Sequence, residues 1–266
     1  MKVAALQMVS TPDVQRNLDA AATLMREAAD GGAELVALPE YFCLMGASDT
    51  DKLRIAEPPG DGPIQRFLAQ QAGSLGLWVV GGTVPIACDT PQRARNACCV
   101  YAPDGTLAAR YDKIHLFYYD NGRERYDEAA VLEAGSEPTT LQAGPLRVGL
   151  SICYDLRFPE LYRAMMQPPC DLIVVPAAFT WTTGRAHWEL LLRARAVENQ
   201  CYVVAAAQGG THENGRRTWG QSMVVDPWGE VLAQRAEGAG VVMADVAPER
   251  LAAVRVQLPA LEHRRF

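Results

Sequence analysis

The stretch Arg147-Val148-Gly149-Leu150-Ser151-Ile152-Cys153 runs from an apolar segment into the polar turn Tyr154-Asp155-Leu156-Arg157-Phe158-Pro159. Its apolar, β-branched first half is typical of a buried strand, and the proline that closes the turn indicates the start of a helix. Cys153 therefore lies where a strand of an α/β protein ends and a helix begins, a common position for a nucleophile or a ligand contact. A lone cysteine more often packs as a small apolar side chain, so its role depends on which other residues join it.

Apolar segments alternate with longer amphipathic ones along the whole chain, which predicts an α/β fold. The predicted strands are Val3–Met8, Leu35–Leu38, Leu77–Thr83, Ala97–Tyr101, Leu107–Tyr111, Leu146–Ile152, Leu172–Val175, Tyr202–Ala207, Ser222–Val225, Val231–Gln234 and Val241–Asp245. The predicted helices are Val14–Ala29, Pro63–Ser74, Pro159–Met166, His187–Glu198 and Pro248–Gln257. Proline and glycine in Ala102–Gly105 and Asp226–Gly229 predict hairpin turns, so the sheets should mix parallel and antiparallel strands.

The chain has 266 residues, of which 49% are hydrophobic, and it can bury one large core. No linker, repeat or low-complexity tract divides it, so we interpret residues 1–266 as a single domain. The segment between His115 and Pro138 has no clear periodicity and is too long for an ordinary connection. We expect it to form a lid or a wall of a binding site.

The composition excludes several classes of function. The seven cysteines form no CxxC pair and the histidines show no ligand spacing, so neither a disulfide framework nor a metal site is predicted. The net charge of −6 includes no basic stripe, and GxGxxG and GxxxxGK(S/T) motifs are absent, so we expect neither nucleic acid nor a nucleotide cofactor. No apolar run approaches the ~20 residues of a membrane span, and the amino-terminal one is too short for a signal sequence. We therefore expect a cytoplasmic protein without membrane contact.

Two charged residues follow other predicted strands as Cys153 follows its own. Glu40 comes after the run Leu35–Pro39, and Lys113 comes after Leu107–Tyr111. Because ligands of α/β sheets collect at the carboxyl ends of strands, we expect the three side chains to converge. The alternatives are a surface carboxylate for Glu40 and an ordinary solvated or ion-paired charge for Lys113, with Asp112 or Asp155 as the partner.

A trio of this kind supports acyl transfer by a thiol. A free thiol with a pKa of ~8.5 is largely protonated at neutral pH, and an ammonium ~4 Å away would favour the thiolate by about 4 kcal/mol at a dielectric of ~20. We therefore expect Lys113 to lower the pKa of Cys153 and Glu40 to accept the proton. Lys113 and the backbone N–H of Tyr154 would then hold the oxyanion of a tetrahedral intermediate.

Three segments, Leu38-Pro39-Glu40, Asp112-Lys113-Ile114-His115-Leu116 and Ser151–Glu160, are similar, in this order, to the signature segments of the nitrilase superfamily of carbon–nitrogen hydrolases. The resemblance extends from about Val3 to Arg265. It implies a four-layer α-β-β-α sandwich and a catalytic triad, which falls here on Glu40, Lys113 and Cys153. It also implies a second glutamate that orients the lysine or the leaving group. Glu128 fits this place, with an exposed loop carboxylate as the alternative.

Within the superfamily, Ala186–Gln208 and Ser222–Gly229 most resemble the deaminated glutathione amidases, with the ω-amidases as near relatives. The resemblance implies that the side-chain amide of deaminated glutathione is hydrolysed to 2-oxoglutarate and cysteinylglycine, whereas an ω-amidase would release ammonia from 2-oxoglutaramate. The loop Gln208–Asn214 favours the first. A nitrilase, another amidase of the superfamily and a non-enzymatic redox sensor that uses Cys153 are the remaining alternatives.

Further residues are candidates for contact with a small-molecule amide substrate. The backbone of Ala178 and Phe179, the side chain of Tyr41, and Tyr154 would line the pocket, and Arg157 or Arg185 could pair with a substrate carboxylate. The alternative for Arg157 is a salt bridge with Glu160 or a subunit contact, and His187 is interpreted as structural. In the resembled family, tails like Leu258–Phe266 cross onto a partner, which implies a homodimer.

Overall fold

The computed structural model describes residues 1–90 and 92–265, so Phe266 of the predicted tail lies outside the described residues. The strands are β1 (Lys2–Gln7), β2 (Leu35–Ala37), β3 (Trp78–Val80), β4 (Val84–Ala87), β5 (Ala94–Tyr101), β6 (Leu107–Asp112), β7 (Tyr118–Asp120), β8 (Arg125–Asp127), β9 (Thr139–Ala143), β10 (Leu146–Leu150), β11 (Leu172–Ala177), β12 (Tyr202–Ala207), β13 (Gly209–Thr211), β14 (Arg217–Trp219), β15 (Ser222–Val225), β16 (Val231–Arg235) and β17 (Gly240–Asp245). The α-helices are α1 (Val14–Asp30), α2 (Asp51–Arg54), α3 (Pro63–Leu75), α4 (Pro159–Ala164), α5 (Trp181–Asn199) and α6 (Pro248–Gln257).

Two large sheets form the middle of the molecule. One has the order β17-β1-β2-β3-β5-β4, with β6 paired to β5, and the other has the order β16-β15-β12-β11-β10-β9. In the first sheet β1, β2 and β3 are parallel while β17 and β5 run against them. In the second sheet β10, β11 and β12 are parallel and the outer strands are antiparallel. Both sheets are mixed, as predicted.

The alternation of side chains along β1 explains the layers. Val3 and Ala5 belong to the same buried cluster as Val148 of the second sheet, whereas Leu6 belongs to a second cluster with Met25 of α1. Since successive strand residues point to opposite faces, β1 packs against the second sheet on one side and against helices on the other. Helix α5 packs on the outer side of the second sheet, against β12 and β15. The predicted four layers, α-β-β-α, are confirmed.

The two predicted hairpin turns are confirmed. Ala102–Gly105 joins β5 to β6, and Asp226–Gly229 joins β15 to β16. In the second turn the Asp226 carboxylate accepts hydrogen bonds from the N–H groups of Trp228 and Glu230, both at 2.8 Å. Such side-chain to backbone bonds are the reason why aspartate favours turns.

Helix α5 corrects one predicted boundary. It begins at Trp181, not at His187, because Thr180 caps it and accepts a hydrogen bond from the Thr183 N–H. Arg185, predicted in a loop, is therefore helical and exposed.

The single-domain interpretation stays a prediction. Within the described ranges, no helix combines the length and the apolar character that crossing a bilayer would require.

Candidate active site

Three strand ends bring Glu40, Lys113 and Cys153 together. The Lys113 Nζ lies 2.8 Å from the Glu40 Oε1, and Glu40 and Cys153 line the same cavity. The three residues are 1%, 1% and 7% exposed, respectively. The two alternatives, a solvated charge for Lys113 and a surface carboxylate for Glu40, are therefore wrong. Asp112, one of the two predicted partners of Lys113, instead forms a salt bridge with Arg110 at 2.8 Å.

The Glu40 carboxylate is fixed by donors from other strands. Asn96 of β5 donates to its Oε1 at 2.9 Å, and the N–H of Ala178 donates to its Oε2 at 3.1 Å. The Gln208 side chain donates a hydrogen bond to the backbone carbonyl of Glu40 at 3.2 Å. Asn96 was not predicted, although a polar residue within the apolar strand β5 is a signal that could have found it. These contacts hold the carboxylate in one orientation.

Glu128 forms the other side of the lysine site. Its Oε2 lies 2.8 Å from the Lys113 Nζ, and it accepts hydrogen bonds at 2.7 Å from the Tyr41 hydroxyl and from the Phe117 N–H. The side chain is 11% exposed and begins a short 3₁₀ helix, Glu128–Ala130. Glu128 is thus no exposed loop carboxylate, and the predicted wall segment supplies it.

The pKa values of the two carboxylates beside Lys113 are shifted in opposite directions. Burial raises the pKa of Glu40, with Lys113 opposing and the negative charge of Glu128 adding to the rise. Burial also acts to raise the pKa of Glu128. The charge of Lys113 and the hydrogen bonds that the Glu128 carboxylate accepts outweigh this effect and hold the pKa below its usual value. Burial acts to lower the pKa of Lys113, which Glu128 and Glu40 more than offset. Lys113 therefore stays protonated.

The expected lowering of the Cys153 pKa is wrong. Burial and the Glu40 carboxylate raise the pKa of the thiol well above its ordinary value, and the opposing attraction of Lys113 is smaller. The physical reason is that two carboxylates already neutralise the lysine, so a thiolate would add another buried negative charge. Cys153 is therefore protonated at neutral pH, and its thiol lies beside the Glu40 carboxylate.

A buried carboxylate shapes the turn that carries Cys153. Asp155 accepts hydrogen bonds from the Ile152 N–H at 2.8 Å, the Tyr111 hydroxyl at 2.7 Å and the His115 N–H at 3.0 Å. The turn holds Cys153 at a φ of 49°, a left-handed conformation that costs free energy for a residue with a Cβ. The sequence analysis did not assign this role to Asp155, which tertiary contacts alone define.

A cavity that opens to solvent lies above Cys153. Five of the six predicted substrate-contact residues line it, namely Tyr41, Tyr154, Arg157, Ala178 and Phe179, and Arg185 does not. The cavity is also lined by residues that the sequence analysis missed, namely Phe117, Thr180, Thr183 and Arg216. Phe117 belongs to the predicted wall segment. Arg216 carries no sequence signal, because an arginine in a turn resembles any solvated charge.

Arg157 and Arg185 differ in position. The Arg157 guanidinium lies 5.5 Å from the Phe179 ring centroid, and in the described part of the chain it forms no ion pair with Glu160. Its Nη1 is 3.3 Å from the His187 Nδ1. Arg185 faces a separate groove on α5, so its predicted contact with a substrate carboxylate is wrong. Among residues 1–90 and 92–265, no cluster of His, Cys, Asp and Glu side chains is suited to a metal ion.

Comparisons with known proteins agree with this geometry. The carbon-nitrogen hydrolase family model matches residues 2–256. A deaminated glutathione amidase of Synechocystis is 42% identical over 267 residues, which cover 99% of this chain and 97% of that protein. The omega-amidase NIT2 of Homo sapiens is 38% identical over 265 residues, which cover 99% of this chain and 95% of that protein. The crystal structure of Saccharomyces cerevisiae Nit3, a member of branch 10 of the nitrilase superfamily, has a TM-score of 0.91 at 32% identity, with 100% and 97% covered.

Proposed function

The chain belongs to the carbon-nitrogen hydrolase family, and we propose that it is an amidase that hydrolyses deaminated glutathione through a thioester on Cys153. The observation that carries the proposal is the buried contact between Glu40 and Lys113 beside a thiol in one cavity. The choice of substrate is supported by the 42% identity to a deaminated glutathione amidase along almost the whole chain.

In the proposed mechanism the Cys153 sulfur attacks the amide carbon while Glu40 takes the thiol proton. Lys113 and the Tyr154 N–H stabilise the oxyanion. The C–N bond then breaks, and Glu40 returns the proton to the departing amine of cysteinylglycine. Glu40 next removes a proton from water, which attacks the thioester and releases 2-oxoglutarate and the free thiol. Glu128 keeps Lys113 in place.

The raised pKa of Glu40 suits both proton transfers. A carboxylate is a better base when its pKa lies closer to neutral pH, and its protonated form must donate to the leaving amine in the next step. The same environment disfavours the redox-sensor alternative, because a sensor thiol needs a low pKa and the pKa of Cys153 is raised.

The test compares deaminated glutathione with 2-oxoglutaramate and follows 2-oxoglutarate with a coupled dehydrogenase. We expect a kcat/KM at least ~10-fold higher for deaminated glutathione, which corresponds to about 1.4 kcal/mol. Cys153→Ala should be inactive, and Cys88→Ala, which removes a thiol outside the cavity, should be unchanged. The reverse preference would identify an ω-amidase, and silence on both would direct the search to nitriles and other amides.

A homodimer in the cytoplasm is part of the proposal. Val197, Trp228 and Leu258 are 48%, 54% and 50% exposed and line one groove. An apolar groove of this kind is typical of a subunit contact. All seven cysteines are free, which suits a reducing compartment. Light scattering should give the mass of a dimer, and the mass of a monomer would contradict this part of the proposal.

A further inference from the structure

Two arginines in the cavity lack a carboxylate partner. Arg157 and Arg216 both line the cavity, and neither forms an ion pair with any carboxylate in residues 1–90 and 92–265. The adjacent Arg217 differs, because it points out of the cavity and pairs with Glu237 at 3.4 Å. Guanidinium groups that face a binding cavity without an internal counter-ion are suited to anionic groups of a ligand.

Arg157 is held beside the nucleophile by aromatic rings. It lies in the 3₁₀ helix that begins at Cys153, and its guanidinium is 5.5 Å from the Phe179 ring centroid and 5.9 Å from that of Tyr154. These contacts restrict the side chain without neutralising its charge. Its charge therefore remains available to a ligand.

Arg216 comes from the turn between β13 and β14, and that turn is anchored in the core. The Arg216 carbonyl accepts a hydrogen bond from the His212 N–H at 2.8 Å. The buried His212 ring contacts the Ser10 carbonyl oxygen and the Thr218 hydroxyl, both at 2.8 Å. The Arg216 guanidinium lies 4.9 Å from the Tyr126 ring centroid. The turn is thus preorganised, and the sequence motif that contains His212 positions the arginine.

The charges in the cavity favour an anion. With Cys153 neutral, Glu40, Glu128 and Lys113 sum to −1, and the two arginines change the total to +1. We infer that Arg157 and Arg216 are two separate carboxylate-binding residues that select a substrate with one carboxylate on each side of the scissile amide. This inference rests on the proposed function, which supplies the amide.

Deaminated glutathione has this distribution of charge. It carries one carboxylate on the 2-oxo acid side and one on the glycine of the leaving group, whereas 2-oxoglutaramate carries only the first. One arginine should therefore act on both substrates and the other on deaminated glutathione alone. The specificity for the larger substrate would come from the second arginine.

The test measures kcat/KM of Arg157→Gln, Arg216→Gln and the control Arg217→Gln with three substrates: deaminated glutathione, its glycinamide analogue and 2-oxoglutaramate. For one cavity variant, kcat/KM should fall ~10–100-fold with deaminated glutathione but change little with the glycinamide analogue or with 2-oxoglutaramate, as expected for a lost charged hydrogen bond. For the other cavity variant, kcat/KM should fall with all three substrates. For Arg217→Gln, kcat/KM should be unchanged with all three. Thermal unfolding checks that the variants fold.

Equal losses on all three substrates for both variants, or losses below ~3-fold on deaminated glutathione, would overturn the inference. A wild-type protein that is silent on all three substrates would instead count against the proposed function, so the two failures are distinguishable.

Discussion

The Lys113 Nζ and the Glu40 Oε1 lie 2.8 Å apart, and both side chains are 1% exposed. Glu128 holds the same ammonium from another side at 2.8 Å. A buried ion group of this kind is costly to break, because removing one partner leaves the other charges without compensation. The arrangement therefore couples the stability of the protein to its proposed chemistry.

Removing the ammonium should destabilise the fold. We expect Lys113→Met to lower the free energy of unfolding by about 3–5 kcal/mol, since Glu40 and Glu128 would remain buried without a cation. Urea denaturation measures this, with Lys2→Met as a surface control that should stay within about 0.5 kcal/mol. Adding Glu128→Gln to Lys113→Met should recover part of the loss. A loss below about 1 kcal/mol would show that the carboxylates do not depend on Lys113.

The acid limb of the activity profile should report the pKa of Glu40. Burial and the charge of Glu128 raise this pKa above its ordinary value of 4.5, so kcat/KM should fall with decreasing pH at a point above pH 4.5, where the base becomes protonated. Glu128→Gln removes a negative charge and should shift the limb to lower pH. The exposed Glu137→Gln should leave it in place. A shift to higher pH in Glu128→Gln would mean that another group controls the limb.

Gly82 allows the chain before Glu40 to pack closely. It has a φ of 55°, and a Cβ on it would overlap the Pro39 carbonyl oxygen. Gly82→Ala should therefore cost about 3 kcal/mol, from strain and overlap together, and should lower turnover because Glu40 is displaced. Gly76→Ala is the matched control, since its φ of 65° is similar and the space around it is open. That control should cost about 1 kcal/mol. Equal losses would show that strain alone matters.

Tyr111 should stabilise the turn that carries Cys153 through its hydroxyl. Burial and the Asp155 carboxylate raise the pKa of Tyr111, so the hydroxyl stays protonated and donates to Asp155 at 2.7 Å. Tyr111→Phe should lower the free energy of unfolding by about 1.5–3 kcal/mol, as for other hydrogen bonds to charged groups. Tyr118→Phe, at an exposed site, should change it by less than about 0.5 kcal/mol. Chemical denaturation of both variants would decide the matter.

Prediction from the sequence succeeds for the buried strands and fails mainly at edges and in short hairpins. β12 and β15 have the predicted bounds, because strands covered on both faces are continuously apolar. β4 and β9 were missed, and both are outermost in their sheets. β4 contains Pro85, which an edge tolerates, and β9 carries polar Thr139 and Gln142, so neither has a clear apolar pattern. The short hairpin strands β7, β8, β13 and β14 were also missed, as was the four-residue helix α2.

The amino-acid sequence by itself determined the fold class, the family and the strand ends that carry Glu40, Lys113 and Cys153, because periodicity and local motifs are properties of neighbouring residues. Only the tertiary structure decided the protonation of Cys153 and the choice of Arg216, not Arg185, as a cavity residue. Electrostatic effects depend on distance through space and on burial, and both are set by strands that are far apart in the chain. The pKa of Cys153 is raised because the thiol is buried and because Glu40 lies beside it, and neither condition can be read from the local sequence.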